Sequence, residues 1–301
     1  MSATFIDMKK SSLQNMKESK GEPLGHGDHW AALGLEGETL ISLLTLTAQE
    51  ATAMHDFQIP WPQIDFGRLV QLELSSREVI YSIILGKPRN EESLNLLSGF
   101  PILSHTSPWI LDISGVEDSY GPFEGVITAN ADTGHGLEWF APRFGREAEE
   151  WRRGGRMKVG LAGLALSLER FTAEPIVIKN GPRITERRAE LNAEGLHDQA
   201  NDPNLTVTFR TEEMRTLYSS FHDHHELVGQ VLRVAKVRLA PGLQGWRLEV
   251  QCRHDENKTG STIPLYVFPP SLSDGYVPKR GDLIQGTIWL QGTHLGFEQL
   301  A

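Results

Sequence analysis

The sequence predicts a mainly β fold of the α+β class, built from two related small barrels and an N-terminal helix and β-hairpin region. A weak internal repeat is the first observation behind this prediction: residues 137–142 (LEWFAP) resemble residues 265–270 (LYVFPP), and a polar stretch follows each copy. The residues that then recur, with the same spacing, are Gly155, Gly160 and Leu164 after the first copy and Gly281, Gly286 and Leu290 after the second. Strand, proline, turn and glycine-containing strand, used twice, are typical of a repeated β unit.

Composition is the second observation. The chain of 301 residues contains 29 Gly and 16 Pro, which implies many turns and favours strands over helices. It is 39% hydrophobic and 23% charged, as in ordinary globular proteins, and it is long enough for more than one domain. A five-stranded Greek-key barrel of the OB type is the simplest architecture for each repeat.

The N-terminal region is expected to combine a tail, a helix and a hairpin. Leucines at 40, 43 and 44 have helical spacing, whereas residues 69–74 alternate apolar and polar side chains as a half-buried strand does. The prolines at 60 and 62 end the helical pattern. The expected elements are a helix over 36–57, hairpin strands over 69–74 and 79–85, a short helix near 91–97 and a strand over 108–113.

The remaining elements follow from the two repeats. In the first repeat we expect strands over 123–130, 136–141, 156–168 and 174–179. In the second we expect strands over 227–238, 244–252, 262–268, 283–291 and 294–298, after a short helix over 211–221. The predicted organisation is a flexible tail (1–28), a helix and hairpin region (29–120), a first barrel (121–182), a helical linker (183–225) and a second barrel (226–301).

Charge and cysteine content limit the classes of function. There are 29 basic and 39 acidic residues, so the formal net charge is −10, which disfavours nucleic acid and anionic membranes as sole partners. Cys252 is the single cysteine, so an intrachain disulfide is excluded. We find no signal-like N-terminus and no apolar run long enough to span a bilayer. The expected location is therefore the cytoplasm, without membrane association.

Two histidine-rich segments are candidates for metal binding, since imidazole and carboxylate are zinc ligands. In residues 222–226 (HDHHE), His222 and His224 share a strand face, whereas His222 and Glu226 would share a helix face. A site there would need a further ligand such as His254 or His294, and a polar connector is the alternative interpretation. In residues 25–30 (GHGDHW), His26 and Asp28 are also possible ligands, and a solvated segment is the alternative.

Residues 139–158 are the best candidate for a nucleic-acid surface. Between Arg143 and Arg188 there are 11 basic and 6 acidic residues, a local excess of +5. Basic groups bind phosphates and aromatic rings stack on bases. The candidate residues are Arg143, Arg146, Trp151, Arg152, Arg153, Arg156 and Lys158. A barrel strand with a solvated loop of mixed charge is the alternative interpretation.

Trp289 and Gln291 share one face of a predicted strand. If that face is the outer one, these two residues mark a partner-binding site. If it is the inner one, Trp289 belongs to the core.

No catalytic motif accompanies these candidates. The chain contains no Gly-x-Ser-x-Gly nucleophile motif, no phosphate-binding Gly-x-x-x-x-Gly-Lys-[Ser/Thr] loop and no Gly-x-Gly-x-x-Gly fingerprint. The favoured function is therefore that of a non-catalytic binding or adaptor protein that contacts another protein and needs no cofactor. The alternatives are a single-stranded nucleic-acid-binding protein and a metal-dependent hydrolase that uses His222, His224 and Glu226.

Overall fold

The computed structural model describes residues 26–57, 66–89, 93–118, 123–130, 136–221, 223–240, 243–252, 261–273 and 275–297. The fold is mostly β, as the sequence predicts, with one sheet of four strands and one of ten. A separate pair of short strands completes the β structure of the described part.

The N-terminal region packs two helices on the four-stranded antiparallel sheet. Its elements are α1 (Gly27–Ala32), α2 (Gly37–Glu50), β1 (Ala53–Phe57), β2 (Phe66–Ser75), β3 (Val79–Pro88) and β4 (Asn95–Leu103). Leu44 and Ala48 are four residues apart on α2, and both are buried. A Cβ on Gly99 of β4 would lie 3.2 Å from the Leu44 side chain, so a residue without a side chain lets the helix approach the sheet.

Two predicted helices of this region differ from the structure. The helix predicted over 36–57 ends at Glu50, and its last residues form β1, which pairs with β2. The helix predicted near 91–97 is wrong, because residues from Asn95 onward pair with β3 as strand β4. Pairing with a neighbouring strand overrides the weak local helical pattern there.

The ten-stranded sheet contains most of the rest of the chain. Its strands are β5 (Ser107–Glu117), β6 (Gly125–Asn130), β7 (Gly136–Ala141), β8 (Gly155–Ala165), β9 (Glu169–Arg170), β12 (Thr216–Phe221), β13 (His224–Ala240), β14 (Leu243–Gln251), β15 (Thr262–Val267) and β16 (Leu283–Phe297). The other elements are α3 (Phe144–Arg153), α4 (Pro182–Ala193), α5 (His197–Ala200) and the paired strands β10 (Ile176–Ile178) and β11 (Val207–Phe209).

The long strands β8 and β16 pair with each other, and each also pairs with other strands of this sheet. The first half of β16 pairs with β13 and the second half pairs with β8, with Leu290 opposite Gly163. β8 also pairs with β5 over residues 155–161 and, in parallel, with β15 at Gly163 and Leu164. A second parallel contact joins β7 to β16 at Phe140 and Gln291.

Two sequence predictions in this part need correction, and one helix was not predicted. The helix predicted over 211–221 is wrong, because only Thr211–Glu213 form a 3-10 turn and the next residues form β12 on the edge of β13. Leu283–Phe297 form one strand, where two were predicted over 283–291 and 294–298. The helix α3 was not predicted, although its buried residues Phe144 and Trp151 have helical spacing.

One hydrophobic cluster joins the N-terminal region to the ten-stranded sheet. Trp30 and Phe100 of the N-terminal region share it with Phe140, Tyr266 and Trp289. A second cluster lies wholly within the larger sheet and its connections. Among the described helices, none is long and apolar enough to cross a membrane.

Candidate functional site

Histidines from distant parts of the chain meet where α1 packs on the start of β13. Nε2 of His29 lies 3.1 Å from Nε2 of His224 and 3.7 Å from Oδ1 of Asp28. One ligand atom from each of these three residues lies within 4.8 Å of the other two. They form a candidate metal centre, which we call the histidine cluster.

The neighbouring elements determine where these side chains lie. α1 is held by Trp30, whose indole Nε1 donates a hydrogen bond to the carbonyl oxygen of Gly99 in β4. His224 is the first residue of β13 and pairs with Trp289 of β16. The cluster therefore depends on contacts between α1, β4, β13 and β16, across 195 residues of sequence between His29 and His224.

A chain of hydrogen bonds extends from the cluster into the core. Oε2 of Glu124 lies 3.1 Å from Nε2 of His26, and Nδ1 of His26 lies 3.0 Å from Nδ1 of His29. All three side chains are buried. An ionised carboxylate only accepts hydrogen bonds, so Nε2 of a neutral His26 ring donates and its Nδ1 accepts from Nδ1 of His29. In this tautomer Nε2 of His29 carries the free lone pair of the ring and lies 3.1 Å from Nε2 of His224.

Trp289 fixes the plane of the His29 ring. The two rings stack with centroids 3.7 Å apart and planes 6° from parallel. Nε1 of Trp289 donates a hydrogen bond of 2.6 Å to Oδ2 of Asp223. A ligand side chain held in this way needs no reorganisation to bind an ion.

Burial changes the proton affinities of this group. It lowers the pKa of His29 well below the usual value, and His26 and His224 lower it further. The His29 imidazole is therefore neutral at neutral pH, as a metal ligand must be. Burial raises the pKa of the Asp223 carboxyl, which the hydrogen bond from Trp289 opposes.

The structure separates the metal ligands that the sequence suggested. His222 and His254 lie outside the described residues. Glu226 accepts a hydrogen bond of 3.0 Å from the Thr287 hydroxyl and does not belong to the histidine cluster. The ring of His294 packs against Trp151 instead. His224 therefore meets residues of the other histidine-rich segment.

Several residues in or beside the histidine cluster were not singled out from the sequence. Glu124, Asp223 and His29 are buried; Glu124 is hydrogen-bonded to His26, which contacts His29, and Asp223 is hydrogen-bonded to Trp289. The available signal was the presence of two histidine-rich segments, at 25–30 and 222–226, each beside apolar residues. No local sequence pattern predicts that these two segments, which are far apart in the chain, come together in the fold.

A groove on the same sheet is the second candidate. It encloses about 720 Å³ between β12, β13, β16 and the turns that flank β9. Its lining consists of Leu166, Ser167, Leu168, Glu169, Phe171, Met214, Thr216, Tyr218, Glu226, Leu227, Val228, Pro270, Ser271, Leu272, Ser273, Gln285, Gly286 and Thr287. Two of these described residues are acidic and none is basic. The side chains of Met214 and Tyr218 are 44% and 52% exposed.

The predicted nucleic-acid residues do not form an open basic surface with a stacking ring. Trp151 is fully buried and packs edge-to-face on Trp139 at 6.0 Å. Four of the arginines have a side-chain nitrogen close to a carboxylate oxygen: Arg143 and Arg146 at 3.5 and 3.4 Å from Glu73, Arg152 at 3.1 Å from Asp118 and Arg156 at 3.5 Å from Asp112. The guanidinium group of Arg153 lies over the Phe297 ring, 5.0 Å from its centroid. Lys158 is exposed. Neighbouring carboxylates thus offset the positive charge of four of the six basic candidates.

The predicted partner-binding pair lies inside the molecule. Trp289 and Gln291 are 0% and 2% exposed. Nε2 of Gln291 donates a hydrogen bond of 2.7 Å to the carbonyl oxygen of Pro101, and its Oε1 accepts one of 3.0 Å from the amide of Leu103. This strand face therefore contacts β4 of the same chain.

Comparison with known proteins gives no match. No family model, no curated protein and no solved structure is significantly similar to this chain. The candidate function therefore rests on the groove and the histidine cluster themselves.

Proposed function

We propose that this chain is a non-catalytic binding protein and that its groove holds an extended segment of another protein. The observation that carries the proposal is the chemistry of the groove, which combines apolar side chains with Glu169 and Glu226 and has no described basic residue. A segment with lysine or arginine beside apolar residues is complementary to such a surface.

The charge of the groove argues against nucleic acid as its occupant. Phosphate groups would face Glu169 and Glu226 without a cation among the described lining residues. The basic residues between 143 and 158 offer little compensation, since Glu73, Asp118 and Asp112 lie beside four of them. The buried Trp151 is not available to stack on a base.

The edge strand β12 supports an extended occupant. Within the described residues, β12 pairs with β13 and with no other strand. Its Tyr218 and Phe221 are 52% and 66% exposed. An extended segment that adds to such an edge gains main-chain hydrogen bonds, and side-chain pockets beside the edge provide specificity.

We also propose that the ten-stranded sheet comprises two OB-like barrels that share the strands β8 and β16. One circuit of paired strands runs through β13, β14, β15, β8 and β16, and another runs through β5, β6, β7, β16 and β8. In each circuit one parallel pair closes the order, β15 with β8 and β7 with β16. The helix α3 lies between the third and fourth strands of the second circuit.

The internal repeat supports this architecture. Gly160 and Gly286 occupy equivalent positions of the repeat. Gly160 pairs with Thr293 of the other long strand, whereas a Cβ on Gly286 would overlap the carbonyl oxygen of Ser167, just beyond β8. Equivalent glycines thus lie where the two long strands approach each other.

A peptide selection tests the proposed function. A random twelve-residue peptide library is selected on the immobilised protein, and enriched peptides are titrated by fluorescence anisotropy. We expect enrichment of peptides with Lys or Arg beside apolar residues. Glu226→Lys and Tyr218→Ala should each weaken these peptides at least about tenfold, a loss of about 1.4 kcal/mol.

Two controls accompany this selection. Glu194→Lys makes the same charge change at an exposed position that follows α4, and it should leave peptide affinity unchanged. Labelled single-stranded DNA and RNA are titrated in parallel. The proposal would be refuted by a library without basic enrichment, by peptides that bind both groove variants as tightly as the parent, or by salt-sensitive binding of the oligonucleotides at the groove.

A further inference from the structure

We propose that the histidine cluster binds a divalent transition-metal ion of the zinc class through Nε2 of His29, Nε2 of His224 and a carboxylate oxygen of Asp28. This site is independent of the groove and adds a second binding activity to the proposed function. Imidazole together with carboxylate favours zinc and its neighbours, whereas magnesium and calcium prefer oxygen ligands throughout.

The distances between the ligand atoms fit a shared ion. Two imidazole nitrogens, each about 2.0–2.1 Å from zinc, lie about 2.9 Å apart at a right angle and about 3.4 Å apart at the tetrahedral angle. The observed separation of 3.1 Å between His29 and His224 falls between these limits. Asp28 is 3.7 Å from His29 Nε2, and its side chain is 58% exposed, so rotation of the carboxylate can adjust its distance to the ion.

The buried hydrogen-bond chain behind the cluster favours a metal ligand. Metal-binding histidines usually donate their second ring N–H to a fixed acceptor, which orients the ring and sets its tautomer. Here Nδ1 of His29 has the buried Nδ1 of His26 as its acceptor, and Glu124 fixes the tautomer of His26. The lone pair of His29 Nε2 is therefore available to an ion near the other two proposed ligands.

Three protein ligands leave a coordination position open. A zinc ion with this set would complete its shell with water or with a group from a bound molecule. The ion would also link His29 of α1 to His224 of β13, two ligands that are 195 residues apart in the sequence. An ion that binds only the folded state stabilises it in proportion to the logarithm of its concentration.

Cobalt titration tests the site directly. The full chain is prepared without a histidine tag, stripped with chelator and titrated with Co²⁺, and the visible absorption is followed before Zn²⁺ is added in competition. We expect one equivalent of Co²⁺ with a four- or five-coordinate spectrum, displaced by Zn²⁺. His224→Ala and Asp28→Asn should each weaken the affinity about tenfold or more.

The variants are chosen so that failure to fold does not obscure the result. His224 is partly exposed and Asp28 is exposed, so neither substitution opens a cavity in the core. Far-UV circular dichroism checks that both variants remain folded. His197→Ala removes an exposed histidine of α5 and should bind Co²⁺ like the parent. Absence of stoichiometric Co²⁺ binding by the parent, or a Co²⁺ affinity in both ligand variants equal to that of the parent, would overturn the proposal.

Discussion

Burial determines the protonation state of the Glu147 carboxyl group. Glu147 lies on α3 near Arg143 and Arg146, yet burial raises the pKa of its carboxyl to about 7. The two arginines and a hydrogen bond from the backbone of His294 oppose this rise without cancelling it. The folded chain therefore holds a proton at Glu147 that the unfolded chain releases at lower pH.

Glu147→Gln should make stability less dependent on pH. Because the folded pKa lies above the unfolded one, Glu147 reduces the free energy of unfolding as the pH rises from about 4.5 to 7. The variant should be more stable than the parent at pH 8, by at most about 3 kcal/mol, and similar to it near pH 4.5. Urea denaturation at both pH values measures the difference. A constant difference between the two proteins from pH 4.5 to 8 would contradict the assigned pKa.

Glu124 is expected to act on the metal site through His26. In Glu124→Gln the amide gains a donor, so the direction of the hydrogen bonds through His26 and His29 is no longer fixed. The affinity for Co²⁺ should fall about tenfold or more, with the stoichiometry unchanged. Glu117→Gln alters an exposed carboxylate at the end of β5 and serves as the control. Equal Co²⁺ affinity in the parent and Glu124→Gln would remove this positioning role.

At the scale of elements, strands with clear alternation are predictable from this sequence. The strand predicted over 69–74 lies within β2, and the strand predicted over 79–85 lies within β3. Both have apolar residues that pack on one core, so local pattern and tertiary contact agree. Residues 91–97 and 211–221 were predicted as helices because their apolar spacing is ambiguous over so short a length. Pairing with β3 and β13 decides their structure, and that information is not local.

Gly286 should be the less replaceable of two strand glycines. A Cβ at this position of β16 would overlap the carbonyl oxygen of Ser167, and a backbone atom cannot move aside as a side chain can. Gly286→Ala should lower the free energy of unfolding by about 1–3 kcal/mol, since overpacking forces the backbone to shift. Gly136→Ala is the matched control, because nothing lies within 4 Å of its added Cβ in the described structure. Equal melting temperatures for the two variants would show that the chain relaxes freely around Gly286.

The candidate sites become visible only at the scale of the whole molecule. The sequence identified His224, His26 and Asp28 as possible ligands, but it assigned them to two separate candidate sites, in residues 222–226 and 25–30. Their meeting depends on α1 packing against the face of β16 that contains Trp289. That packing covers Trp289, and β4 of the same N-terminal region covers Gln291, the pair that the sequence analysis considered as a partner surface. The packing of the N-terminal region on β16 thus creates one candidate site and covers another.

The shared core predicts that the N-terminal region and the ten-stranded sheet unfold together. Phe140 of β7 lies at their junction, with ring centroids 5.0 Å from Phe100 and 5.1 Å from Trp289. Phe140→Ala should lower the free energy of unfolding by about 3–5 kcal/mol because it leaves a cavity in this junction. Phe209→Ala, at a partly exposed position of β11, should cost less than about 1 kcal/mol. Far-UV circular dichroism and tryptophan fluorescence should report one coincident transition in the parent and in both variants. Two separate transitions, with Phe140→Ala shifting only one, would instead mean that the N-terminal region folds as an independent unit.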